Sequence, residues 1–146
     1  MASNDKKRNL NSQQKNKTCQ EVIGLGVDIL EVKRIKKIFN KRKDAFIKRI
    51  YTQEEIKYCE NKKRSIESFA VRFSAKEAFI KAIESDYNIT YKEIEVAKKE
   101  SKKPTIILSG KALQAAEEKN VTEILVSLSH EKNYVIANII LKGRIS

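Results

Sequence analysis

The sequence predicts an α+β domain in which antiparallel hairpins pack with helices. Three observations carry that prediction. A short apolar, β-rich run opens the folded region, two stretches repeat apolar residues at helical spacing, and two pairs of strand-like segments are joined by short polar turns. At 146 residues and 40% hydrophobic, the chain supports one compact core rather than two.

Residues 1–20 hold five basic residues, one acidic residue and almost nothing apolar, so a disordered basic tail is expected there. That composition fits the remnant of an organelle transit peptide as well as a lysine- and asparagine-rich bias, leaving a plastid-type organelle or the cytoplasm as locations. The domain is expected over 21–146. Val22–Ile29 is its first strand, with glycines that permit close backbone approach. A helix follows over Leu30–Asn40, with Val32, Ile35 and Phe39 on one face and lysines on the other.

Thr52-Gln-Glu-Glu55 has the pattern of a capping box and opens a helix to Glu60. Ser68–Ile83 aligns Phe69, Phe73, Ile80 and Ile83 along one stripe and is the main helix. Glu93–Ala97 and Thr105–Leu108 form one hairpin, Lys111–Lys119 a short helix, and Glu123–Leu128 with Tyr134–Leu141 a second hairpin. No internal repeat is present.

Composition narrows the function. No apolar run approaches the ~18 residues of a membrane span, so no membrane partner is expected. Two cysteines, Cys19 and Cys59, suggest neither a disulfide framework nor a thiolate metal site, and the single histidine excludes multi-histidine zinc arrangements. Any metal should be a hard ion on carboxylates, magnesium first. The formal charge of +12 calls for an anionic partner, but with no Trp and no recognised signature nucleic acid is not expected.

The residues that carry chemistry each have a second reading. Asp28 ends the first strand, where side chains project into clefts, yet with Glu31 it also fits a helix cap. Glu77 and Lys81 share a helix face beside the apolar stripe, and also fit an exposed ion pair between helical neighbours. His130 closes the alternating run Ile124–His130, exposed at a strand end where it can donate to phosphate or be incidental. Nine cations surround Asp44 between residues 32 and 49, a basic helical face.

Taken together, Gly24-Leu-Gly-Val-Asp28-Ile with Arg34-Ile35, then Arg72-Phe-Ser-Ala-Lys-Glu77-Ala-Phe-Ile-Lys81-Ala, then Ser127-Leu-Ser-His130, resemble the bacterial-type holo-acyl-carrier-protein synthases, a group of the 4′-phosphopantetheinyl transferases. The similarity covers about residues 21–143. It implies the small transferase fold of that family, a trimer with coenzyme sites between subunits, and transfer of phosphopantetheine from coenzyme A to a serine of an acidic acyl carrier protein in fatty acid biosynthesis.

It further implies that Asp28 and Glu77 hold Mg²⁺ and that Lys81 stabilises phosphate charge. Arg72, Lys76 and His130 would contact the coenzyme's phosphates, and Arg34 would dock the carrier. The serine's proton would go to Glu77 or to a metal-bound water. Two departures stand out: residues 84–90 lack the family's glycines, and the usual glycine before Pro104 is missing from Ser101-Lys-Lys-Pro104. A basic nucleic-acid module and a magnesium phosphohydrolase are the competing readings.

Overall fold

The structure, a computed structural model, describes residues 19–98 and 103–145. Strand β1 (Gln20–Glu31) leads into helices α1 (Val32–Ile50), α2 (Gln53–Glu60) and α3 (Ser65–Ile83). A 3₁₀ turn (Tyr91–Glu93), β2 (Ile94–Ala97), β3 (Thr105–Leu108), α4 (Gly110–Glu118), β4 (Val121–His130) and β5 (Tyr134–Arg144) complete the order. The expected α+β architecture is present. Most of the expected tail lies outside the described residues.

The elements differ from expectation mainly at their ends. β1 is longer on both sides because it pairs antiparallel with β5, from Gln20 opposite Arg144 to Glu31 opposite Tyr134. β5 is the central strand of a sheet ordered β1-β5-β4, while β2 and β3 form a separate hairpin. α1 continues ten residues past Asn40, with non-helical angles at Arg42, because Ile47 and Ile50 beyond that break are buried. The Thr52–Glu55 capping box forms in both directions as predicted.

Helix α3 is the spine, and its buried residues include Phe69, Ala70, Ala75, Ala78, Phe79 and Ala82. β1 lies directly on it. A Cβ on Gly24 would stand 2.4 Å from the Ala82 carbonyl oxygen, and one on Gly26 would stand 1.9 Å from that of Ala78. Two residues of strand advance ~6.8 Å and four residues of helix ~6.0 Å, so this pairing continues in step to Asp28 beside Ser74. There the Ser74 hydroxyl stands 2.9 Å from both the Asp28 carbonyl oxygen and Oδ2, with its one proton shared between them. The glycines thus set the distance at which a strand carboxylate meets the helix.

The other face of β1 is uncovered: Val22, Leu25, Val27 and Ile29 are all more than half exposed. At the opposite end of α3, Glu84 adopts left-handed angles (φ 44°), a conformation glycine usually supplies. Lys119 offsets the missing glycine by donating to the carbonyls of Ile83 and Glu84. Of the second departure, at 101–104, residues 101 and 102 lie outside the described residues.

Candidate active site

The site grows from the contact between β1 and α3. Asp28 is inside β1 rather than at a helix start, and α1 begins after Glu31 without a side-chain cap, so the capping role does not hold. Lys81 reaches across to donate to Asp28 Oδ1 at 3.0 Å and to the Val27 carbonyl at 3.1 Å. The local Glu77–Lys81 pair is therefore replaced by a bond between elements. Asp28 is left 15% exposed and Lys81 54%, a sheltered carboxylate under an accessible cation.

Glu77, partly buried one helical turn before Lys81, accepts a hydrogen bond at Oε1 from the Tyr91 hydroxyl. Burial, then the bond to Glu77 and its charge, push that hydroxyl up to about 12; Arg49 opposes the shift and Asp28 adds to it. Both carboxylates therefore act on one phenol, which stays a donor at physiological pH. Among the described residues Glu77 Oε2 has no hydrogen-bond partner, and no third His, Cys, Asp or Glu completes a metal cluster. Two carboxylates that both act on the Tyr91 hydroxyl are hard oxygen donors of the kind magnesium takes, an ion that keeps waters and draws its remaining ligands from substrate phosphates.

Arg72 and His130 meet in a second place, a cleft of about 620 Å³ also lined by Tyr58, Arg64, Glu67 and Lys103. That volume suits a small-molecule ligand. The Arg72 guanidinium lies 4.2 Å from the centre of the Tyr58 ring, and one of its nitrogens donates to the Ser68 carbonyl and hydroxyl. Among the described residues its Nε is buried without a partner, in a wall that also carries Lys62, Lys63 and Lys103. His130 is exposed at the end of β4, as expected, with Nδ1 3.9 Å from Glu67 Oε2.

Lys76 is not in either place. Its ammonium is wholly buried and donates to Glu55 Oε1 at 2.6 Å, to the Ile94 carbonyl at 2.7 Å and to the Tyr91 carbonyl at 3.0 Å. All three protons are committed, so the expected phosphate contact is corrected to a structural one. Burial draws its pKa down, and the Glu55 charge works against that shift. Arg34 lies exposed on α1, away from the buried Ile35.

Sequence reasoning did not single out Ser74 or Tyr91. Ser74 had a signal, three residues before Glu77 and so on its helix face, whereas Tyr91 is distant in sequence and announced by nothing.

A lysine held on one of two carboxylates, together with a cationic cleft on a small α+β scaffold, suits a phosphorylated substrate. The model of the 4′-phosphopantetheinyl transferase superfamily matches residues 24–139. A holo-[acyl-carrier-protein] synthase of Koribacter versatilis is 39% identical over 83% of this chain and 98% of its own. The holo-ACP-synthase of Plasmodium yoelii has a TM-score of 0.76 and 31% identity, covering 87% of this chain and 99% of that one. The Bacillus anthracis synthase, solved with CoA (3′,5′-ADP), gives 0.66 and 33%, covering 84% and 97%. The chain belongs to the 4′-phosphopantetheinyl transferase superfamily, in its holo-acyl-carrier-protein synthase group.

Proposed function

We propose that this chain transfers the 4′-phosphopantetheine group of coenzyme A to a serine of an acidic acyl carrier protein, releasing adenosine 3′,5′-bisphosphate, and so serves fatty acid biosynthesis. The observation that carries the reading is the bond from Lys81 of α3 to Asp28 of β1, one helical turn from Glu77. Asp28 and Glu77 would hold Mg²⁺, which when bound neutralises pyrophosphate charge and polarises the phosphorus under attack.

The chain's own residues do the rest. Lys81, held over Asp28, supplies positive charge to the phosphate oxygens, and Arg72 and His130 orient the coenzyme by charge-assisted bonds from the cleft wall. The serine hydroxyl is a poor nucleophile and needs a base, which Glu77 or a water held by the cation would supply. Arg34, among the exposed cations of α1, receives the carrier. The uncovered β1 face supports a homotrimer whose neighbouring subunits share coenzyme sites.

The test is mass spectrometry of an apo carrier protein incubated with coenzyme A, Mg²⁺ and the protein. The expected result is a carrier heavier by one phosphopantetheine, with Glu77→Gln and Asp28→Asn slower by at least about a hundredfold, because a Lewis acid contributes several kcal/mol. An unmodified carrier, or near-native turnover of both variants across a magnesium titration, would refute the reading.

A further inference from the structure

Tyr91 is held at three points by one face of α3. Its ring packs on Phe73 with centroids 5.4 Å apart, its carbonyl accepts a 3.0 Å bond from Lys76, and its hydroxyl donates to Glu77 Oε1. Lys76 is fixed in turn by Glu55 and the Ile94 carbonyl, and the turn closes with Glu93 donating its backbone N–H to the Thr90 carbonyl at 3.2 Å. The direction of the phenol is thus set by the ring and the backbone before Glu77 is considered. Asp28 has a corresponding arrangement, with the Ser74 hydroxyl on Oδ2.

We propose that Tyr91 is a positioning residue for Glu77, its hydroxyl occupying Oε1 so that Oε2 alone is presented to a divalent cation shared with Asp28. The proposal rests on the reading of Asp28 and Glu77 as the magnesium-holding pair. A glutamate has three rotatable side-chain torsions, and a small cation that demands near-ideal octahedral geometry discriminates among its orientations. A phenol anchored on the same helix removes that freedom before the cation arrives. Residues that orient metal ligands in this way change affinity or activity by about 10–100-fold when removed.

Tyr91→Phe keeps the ring on Phe73 and removes only the donor. Manganese, as a paramagnetic stand-in for magnesium, can be titrated into the protein with coenzyme A and no carrier, so that binding is read by electron paramagnetic resonance without turnover. Tyr91→Phe is expected to weaken Mn²⁺ binding by about tenfold, and to raise the magnesium needed for half-maximal activity more than it raises the KM for carrier protein. Tyr91→Phe/Glu77→Gln should bind no more weakly than Glu77→Gln alone.

Native-like Mn²⁺ affinity in Tyr91→Phe, with Glu77→Gln impaired, overturns the positioning role alone. Additive losses in the double variant also overturn it, since Tyr91 would then act elsewhere. Native-like affinity in Glu77→Gln refutes the magnesium pair itself, and the positioning role falls with it.

Discussion

Lys76 and Glu77 are adjacent in sequence and meet different surroundings, because ~100° of helical rotation separates their side chains. One faces the interior against Glu55, the other the site against Tyr91. Lys76→Met should lower stability by about 3–5 kcal/mol in urea unfolding, since it strands the buried Glu55 charge. Adding Glu55→Gln should recover part of that loss by removing the stranded charge; no recovery would mean the pair matters only through packing. Spacing within α3 put Glu77 and Lys81 on one face, but spacing says nothing about depth. The partner that buries Lys76 comes from α2, twenty-one residues earlier, where the capping box disclosed Glu55 as a helix start and not as a counter-ion.

At the scale of elements, the contact between β1 and α3 does most to place the site. Gly26→Ala puts a methyl 1.9 Å from the Ala78 carbonyl oxygen, closer than any real contact. The strand must then lift from the helix, and we expect a loss of about 1–3 kcal/mol or more in stability, as overpacking costs. Activity should fall further than stability, because Asp28 moves with the strand; a variant with native turnover and metal dependence would contradict this. The glycines read as close-approach positions in the sequence, yet what they approach did not. Likewise β1 ended short in the sequence-based reading because its pairing partner, β5, begins more than a hundred residues away. α1 ended short because its buried Ile47 and Ile50 lie beyond a run of cations.

For the whole molecule, charge and exposed apolar surface set the partners. Lys33, Arg34, Lys36, Lys37, Lys41, Arg42, Lys43, Lys48 and Arg49 are all exposed on α1, a concentrated positive field for an acidic carrier. Association should quicken at low salt and slow as the Debye length shortens to ~8 Å near physiological ionic strength. Arg34→Glu should raise the KM for carrier protein much more than that for coenzyme A, and equal effects in steady-state kinetics would exclude docking there. Val27→Lys places a charge in the uncovered apolar face of β1, where the side chain is 53% exposed in the single chain. If that face joins subunits, sedimentation should show the variant as a monomer with lost activity; an unchanged assembly would place the interface elsewhere.

The pairing of β1 with β5 also bears on how the protein is made. During synthesis the strand carrying Asp28 emerges from the ribosome early, but its hydrogen-bonding partner is not translated until residues 134–144 have been added. Until then an apolar strand waits with an open edge, the kind of segment that recruits wrong partners. Nascent chains stopped before Tyr134 should therefore be chaperone clients, protease-sensitive through β1, and without an assembled carboxylate pair. An assembled carboxylate pair is therefore expected only once β5 has been made.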